Sequence, residues 1–595
     1  MGDLEKSRLY GAAILSGLLL ALAFPPLAQA DTVFFALVPL ILAVRASEPK
    51  RGFRLAFFSG LAFWLIDLFW LWRLKDNGGP LPLVVFGHVA LAAVCALFTG
   101  LFGYASATLW SIARKRDSAI LNGLLALLAE PLFWIGAEYV RGTILSGFPW
   151  NPLAASQYRN PAMLHAASCA GSGLVSALIV AVNAGIASFA FRLWRDVFKR
   201  SFCKGTGNRE EGTGNREQGT GKREQGTGNR EEETGNREEG TGNRRFTIRS
   251  AELAIALLAV CLCWMQGISV IREDVRASRT QPRLRAALVH PDIPCIFEKD
   301  DDSVREANAA LLRYTSFAAG AAPSLCLWPE TSLPGYYPYD KDAFNLIISA
   351  TEALRGAPLL VGTVELRYGE TEGPDGKRPY DIYNSAYLFG KGIRAFYRKQ
   401  HLVPFGEFIP LESKIPFLKK LAPAGFSCTA GDGPCVFKLD PVATNAANAG
   451  VLICFEDVFP YLARRAVNAG ADLLITLAND AWFDGSCESE QHLAQAVLRC
   501  AENHRPMLRC TNRGVSAFID RNGRVVRRIG SGRGSGEPGF AVHELTVATG
   551  APRTPYAQYG DWLLSIPAAA FLVAVAIGSR LTRRTRMTQT PIEHH

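Results

Sequence analysis

The chain has 595 residues, 49% of them hydrophobic and 20% charged, with 64 basic against 54 acidic side chains and a formal net charge of +10. That length allows several domains, and the apolar share is high for a soluble protein. A basic balance can mark a nucleic-acid binder, but here the basic residues cluster beside apolar runs with no aromatic-basic recognition motif. Nucleic acid is therefore excluded as the expected partner, and the charge reads as membrane orientation.

Apolar runs of spanning length, about 17 to 25 residues, occur at Leu9–Leu27, Phe53–Trp72, Leu81–Trp110, Ile120–Ala137, Met163–Leu193, Ala251–Val270 and Trp562–Ser579, with a shorter eighth at Thr32–Val44. RASEPKRGFR at 45–54, RKRD at 114–117, the basic stretch 192–204 and RLTRRTRM after Ser579 lie between or beyond them. Each is expected on the cytoplasmic side. With the amino terminus inside, eight crossings return the carboxyl terminus inside and put the segment between spans seven and eight on the outer face. An alternative for the start is a cleaved signal peptide, because Glu5-Lys6-Ser7-Arg8 precedes an apolar stretch ending Ala28-Gln29-Ala30. Cleavage there leaves the later topology unchanged.

Residues 1–200 thus read as transmembrane helices one to six, 201–249 as a disordered cytoplasmic linker and 250–270 as helix seven. Residues 280–550 form the outer domain, 560–580 helix eight and 581–595 a cytoplasmic tail. Within the linker, residues 205–245 repeat a seven-residue unit, GTGNREE with variants such as GTGKREQ, and have no apolar residue to seed a core. Its glycines do not make a phosphate loop, since no strand precedes them and no Gly-Lys-Ser/Thr follows.

In the outer domain, apolar runs at Arg285–Val289, Ser324–Trp328, Leu359–Val364, Ser385–Phe389, Gly450–Ile453 and Leu473–Leu477 predict buried strands. Three-and-four spacing predicts helices at Ser303–Ala318, Lys341–Arg355, Pro460–Ala469 and Glu488–His504. The alternation implies a layered α/β architecture, in which ligands gather at the carboxyl ends of strands. Three reactive side chains fall at such ends: Glu330 after SLCLWP, Lys399 after IRAFYR and Cys454 after GVLI.

A cysteine at a strand-to-helix turn can present its sulfur beyond the sheet, and a nearby cation favours the thiolate. A carboxylate can take the thiol proton, and a fixed ammonium can stabilise an oxyanion. Taken singly, each residue has a blander explanation: a buried cysteine acts as a small hydrophobe, a Glu after Pro caps a turn, and a Lys after a strand is solvated.

The flanking sequences change that balance. WPETSLPGYY, YRKQHLVPFGEFIP and ICFEDVFP resemble the three catalytic segments of the nitrilase superfamily. More narrowly, HLVPFGEFIP, NDAWF at 479–483, Gln491-His492, RPMLRCTNRGVSAFID at 505–520 and RGTILSGFPWN in the membrane half resemble the apolipoprotein N-acyltransferase family. The resemblance runs through nearly the whole chain and departs mainly at the tandem repeat.

It implies a nitrilase-like αββα sandwich on the outer, periplasmic face of a bacterial inner membrane, carried by about eight transmembrane helices. It makes Cys454 the nucleophile, Glu330 the general base and acid, and Lys399 the oxyanion-stabilising cation, with Glu407, Phe455 and Glu456 in support. The reaction implied is ping-pong. An acyl chain passes from a phospholipid to the cysteine as a thioester, then to the α-amino group of the amino-terminal S-diacylglyceryl cysteine of an apolipoprotein, completing lipoprotein maturation. No cofactor and no metal is expected. Rival readings are a membrane-tethered nitrilase-type amidase and a non-catalytic scaffold that binds lipidated partners.

Substrate contacts are less sharply indicated. Trp150, in the outer loop between spans five and six, suits the headgroup region or simple anchoring. Arg141 is a candidate for headgroup binding, or a partner of Glu138 at one-turn spacing. Asp67 and Glu130 lie inside apolar runs, where a charge is expensive. Trp482, with Phe483 and Trp328, is a candidate for an acyl pocket, the alternative being a place in the core. Eight of the 13 cysteines fall in the outer domain. Cys428 and Cys435 are a candidate pair there, the alternative being that all eight stay reduced.

Overall fold

Among the described residues, six of the twelve strands and the four helices that pack on their sheets follow from the patterns above. In a computed structural model of the protein, the described residues are 3–116, 118–205, 251–294, 301–371, 378–410, 412, 414, 427–439, 447–530, 538–547 and 549–587. The expected repeat linker lies almost entirely outside them.

The amino-terminal half is helical: α1 (Asp3–Ala21), α2 (Val38–Arg45), α3 (Pro49–Asp67), α4 (Leu81–Ala113), α5 (Ile120–Thr143, with a π turn at Leu125–Ala129), α6 (Ser172–Gly205) and α7 (Ala251–Ala277). Among the described residues, α4 to α7 are the four helices long and apolar enough to cross a membrane. A fifth crossing forms if α3 is counted with the 3-10 segment Phe69–Asn77, to which it is bent by 41°. The other expected spans are less complete. Helix α1 opens on the charged DLEKSR, and α2 has eight residues.

The run expected as one span over Met163–Leu193 is broken. It forms short helices at Pro161–Leu164 and Ala167–Ala170 before α6 begins. Gly171 makes the break with φ +77°, and a Cβ there would lie 2.8 Å from the Tyr556 ring, a position only glycine fills without strain.

The two carboxylates inside apolar runs are both partnered, as burial of charge requires. Glu130 pairs with Arg45 at 2.5 Å and accepts from Ser106 and Trp110. Asp67 accepts two bonds from the Asn151 amide, each 3.0 Å.

The second half builds β1 (Arg283–His290), α8 (Asp301–Ala319), β2 (Leu325–Leu327), α9 (Lys341–Ala353), β3 (Leu359–Tyr368), β4 (Tyr380–Gly390), β5 (Gly392–Arg398) and β6 (Val436–Lys438). It continues with β7 (Asn448–Ile453), α10 (Pro460–Asn468), β8 (Leu473–Ala478), α11 (Glu488–Asn503), β9 (Met507–Thr511), β10 (Ser516–Ile519), β11 (Val525–Ile529) and β12 (Gly539–Thr546). Helix α12 (Trp562–Met587), with an apolar stretch at Leu564–Arg580, closes the chain.

The strands make two six-stranded sheets, ordered β12-β1-β2-β3-β4-β5 and β11-β10-β9-β8-β7-β6. Their facing sides share one core, in which Leu288, Leu327, Leu360 and Leu388 of the first sheet meet Val451, Ile475 and Leu508 of the second. Helices α8 and α9 cover the outer face of the first sheet. The result is the layered α/β sandwich of the nitrilase-like fold. Strands β7, β8 and β9 run parallel, which explains their uninterrupted apolar runs, since both faces of such strands are covered.

The outer face of the second sheet is covered by α10 and α11, and these are packed on the helical bundle. Leu462 and Ala466 of α10 and Leu493 and Val497 of α11 belong to the same buried cluster as Phe63, Trp134 and Phe571 of the membrane half. Helix α11 is buried along nearly its whole length although it carries Glu488, Gln491, His492, Gln495, Arg499, Glu502 and Asn503. Buried polar groups persist only when bonded, and α11 bonds in two directions. Glu502 accepts from the Ser172 N–H, and Gln495 donates to Asn151, both in the bundle. Arg499 donates to the Val458 carbonyl, in the turn that follows β7.

Candidate active site

Strand β7 ends at Ile453, and the chain turns at once into a 3-10 segment, Cys454–Val458. Cys454 adopts φ +51°, a left-handed conformation that costs a non-glycine residue on the order of 1–3 kcal/mol. The turn is held by Glu456, which is fully buried. Its carboxylate accepts from Ile453 N at 2.8 Å, Gln400 N at 2.7 Å, His401 N at 3.1 Å and Tyr397 Oη at 2.9 Å. Glu456 therefore ties the cysteine turn to the segment that carries Lys399.

Lys399 follows β5 and is 1% exposed. Its ammonium lies 2.9 Å from Glu407 Oε1 and 3.5 Å from Glu330 Oε1. Glu330 follows β2 and is hydrogen-bonded to Cys454. The Asn384 amide, on β4, donates to Glu330 at 2.7 Å and to Glu407 at 2.8 Å. Glu407 also accepts from Val403 N at 2.8 Å. The turn holding Glu330 lies directly on β3, because at Gly362 a Cβ would stand 2.6 Å from the Glu330 Cα.

Burial dominates the electrostatics. It raises the Glu330 carboxyl above the usual carboxylate range despite Lys399 beside it. Burial, reinforced by Glu330, also raises the Cys454 thiol well above its ordinary value. Burial disfavours the Lys399 ammonium, but Glu407 and Glu330 outweigh it and the net shift is upward. The lysine is thus a fixed cation, and the glutamate is a stronger base than a free carboxylate. The sulfur meets one further donor, the Asn479 backbone N–H at the end of β8.

The structure brings Glu330, Lys399, Cys454, Glu407 and Glu456 together. Phe455 lies beside them and stacks on Trp150 at 6.4 Å between ring centroids. Trp150 itself is 2% exposed, and its indole N–H donates to Gln491 of α11 at 2.8 Å. Arg141 is also buried. It donates to the Phe148 and Trp150 carbonyls, and its guanidinium lies over the Trp64 ring, so it shapes the FPWN loop. Glu138 instead accepts from Trp134 and from Leu153 N.

Trp482 follows Asn479 on a 3-10 turn, and its carbonyl accepts from Asn77 of the bundle at 2.7 Å. Trp328 is fully buried in the core under α8, bonded to Thr315, so it is not part of an acyl pocket. Cys428 and Cys435 carry free thiols and are not joined.

Comparison with known proteins finds relatives for both halves of the chain. Residues 16–185 match the model of the apolipoprotein N-acyltransferase N-terminal domain, and residues 285–547 match that of the carbon-nitrogen hydrolases. The apolipoprotein N-acyltransferase of Allorhizobium ampelinum is 30% identical, with 86% of each chain covered. The chain belongs to the apolipoprotein N-acyltransferase family. The family's protein from Geobacter metallireducens is 29% identical over 97% of this chain and 96% of that one, and the one from Pseudomonas syringae pv. tomato 26% identical over 96% and 97%.

Sequence reasoning missed several residues of this acyltransferase-family site. Asn384 sits in a strand expected to begin one residue later, and no local pattern marks its bridge between two carboxylates. Behind the cysteine, Asp457, Asp480, Glu488, His492 and Arg509 form a buried charged cluster. The motifs NDAWF and Gln491-His492 carried its signal without its meaning. Asp480, Glu488 and His492 offer oxygen and nitrogen atoms within 4.8 Å of one another, a composition that suits a metal. The cluster already holds cations, however: Arg509 binds Asp457 at 2.6 Å and Asp480 at 3.2 Å, and His492 binds both as well.

Proposed function

We infer that this protein transfers an acyl chain from a phospholipid, through a thioester on Cys454, to the α-amino group of the amino-terminal S-diacylglyceryl cysteine of apolipoproteins. The observation that carries the reading is the seat of the site. A buried Cys-Glu-Lys group lies one stacked ring, Phe455, away from Trp150 of the helical half. A soluble amide substrate has no need of that contact, and a scaffold has no need of the intact reactive group.

In the first half-reaction Glu330 takes the Cys454 proton, and the sulfur attacks the ester carbonyl. Lys399 stabilises the oxyanion. As the tetrahedral species collapses, the carbon–oxygen bond breaks and Glu330 returns the proton to the departing lysophospholipid. In the second, Glu330 takes a proton from the attacking amine, the amide bond forms, and the sulfur leaves and is reprotonated. Dividing the transfer gives two easier displacements. Glu407 and Asn384 fix Lys399 and Glu330, while Glu456 and Phe455 fix the nucleophile turn.

Eight crossings fit the charge pattern, with residues 1–200 carrying six, 250–270 the seventh and 560–580 the eighth. They put the 280–550 catalytic domain on the periplasmic face of the inner membrane, 201–249 and the 581–595 tail inside. A reporter inserted within 206–245 is then active only in the cytoplasm, and one inserted near Gly534 only outside it.

The decisive experiment exposes purified protein to phosphatidylethanolamine alone and weighs the peptide containing Cys454. An added acyl mass, absent in Cys454→Ala and severely reduced in Glu330→Gln, is expected. Full complementation of a lipoprotein-maturation defect by Cys454→Ala would sink the mechanism.

A further inference from the structure

Cys454 and Asn479 lie just past the end of the β7–β8 ladder, whose last pair is Ile453 with Leu477. Beyond that pair no backbone bond of the ladder fixes the spacing of the two turns, yet the Asn479 N–H has to stay on the sulfur. Side chains take over. Asp457 lies on the cysteine turn and Asp480 directly follows Asn479. His492 of α11 reaches both, with Nε2 2.9 Å from Asp457 Oδ1 and Nδ1 2.9 Å from Asp480 Oδ1.

Arg509 of β9 bridges the same two aspartates from the other side. All four side chains are at most 2% exposed. Two carboxylates this deep repel each other unless cations stand between them. Glu488, one helical turn before His492, faces the same ring at 3.5 Å. Burial and then Asp480 raise its carboxyl to about 8. With Glu488 protonated, two anions are matched by two cations. Among the described residues none of these groups pairs with Lys399 or Glu407, while Asp480 and Arg509 act on Cys454 only through their charge.

We propose that His492 is a positioning residue for acyl transfer, holding the Cys454 turn and the Asn479 turn at the separation that keeps the Asn479 N–H on the sulfur. The donor acts whenever negative charge collects there, on deprotonation of the thiol and again when the thioester breaks. The proposal rests on the acyl-transfer reading above. Because Gln491, the neighbouring residue of α11, is bonded to Trp150 and Asp67 in the bundle, the clamp is also anchored to the membrane half.

The test uses the full chain in lipid nanodiscs with phosphatidylethanolamine as the acyl donor, and timed mass measurement of the Cys454 peptide. His492→Gln should slow thioester formation about ten- to a hundred-fold, as small misplacements do. The lipid concentration at half-maximal rate should shift less than about two-fold, because only a charge-developing step is affected. Asp480→Asn, which keeps the volume of the side chain, should show the same split and carries the test if His492→Gln does not fold. The double variant should be no slower than the slower single one, since both break the same link. Wild-type rates in either variant, or a loss confined to the half-saturating concentration, overturn the clamp. Absence of acyl mass on the wild-type protein overturns instead the acyl-transfer reading.

Discussion

The Lys399 ammonium stands 2.9 Å from Glu407, closer than the 3.5 Å to Glu330, the proposed general base. The supporting carboxylate thus takes the larger share of the cation, and Glu330 keeps the burial-raised basicity that proton abstraction needs. Glu407→Gln removes that competition. Lys399 is then drawn onto Glu330, the base weakens, and thioester formation is expected to fall by about 10²-fold, the usual scale for losing general acid–base support. Timed acylation of Cys454 measures it.

Gly362 tests whether the Glu330 turn has any freedom. An added Cβ would stand 2.4 Å from the Pro329 carbonyl oxygen and 2.6 Å from the Glu330 Cα. Gly362→Ala should displace the base and cost about 1–3 kcal/mol of stability through overpacking. A melting curve beside the acylation assay separates the two effects, and activity should suffer more than folding.

Gln491 joins the halves of the molecule. Its amide donates to the Pro25 carbonyl at 3.3 Å and to Asp67 Oδ1 at 3.1 Å, and its oxygen accepts the Trp150 indole at 2.8 Å. Gln491→Ala leaves a buried indole N–H unpaired, which costs about 1–3 kcal/mol. Thermal unfolding of the full chain should register the loss, and Gln491→Glu should do worse, because a second carboxylate then faces Asp67.

The buried cluster makes stability depend on pH. Burial and Arg509 disfavour the His492 imidazolium, but Asp457 and Asp480 prevail and raise it from 6.5 to about 10. A raised value means that the folded state holds the proton more tightly, so the contribution is complete below pH 6.5 and is lost as the pH climbs through about 10. Glu488, raised from 4.5 to about 8, acts in the same direction over a lower window. These two groups should therefore lower the melting temperature progressively from about pH 4.5 to about pH 10, and His492→Gln should flatten the upper part of that decline. A decline of equal steepness in the variant would assign it to other groups.

Much of the fold was legible because parallel central strands are covered on both faces and so appear as continuous apolar runs. That is how β7 and β8, and with them the position of Cys454, emerge from composition alone. Strand β9 hides behind Arg509, a charge in a fully buried strand. Its reason is a pair of aspartates, one 52 residues and one 29 residues upstream, and no window along the chain reveals such a debt. Asn384 is hidden in the same way, since its partners come from the turn after β2 and from the loop after β5. Trp150 is a further case: an aromatic beside an apolar run carries no sign of the polar helix bonded to it.

The shared cluster that joins α10 and α11 to the bundle also limits how such a protein can be divided. Cut free of its helices, the second half would expose Leu462, Ala466, Leu493 and Val497 together with a row of stranded amides and carboxylates. It would associate through that slab instead of remaining dispersed in water. Turning this scaffold into a free-standing hydrolase would require resurfacing two helices before a single reactive atom was altered.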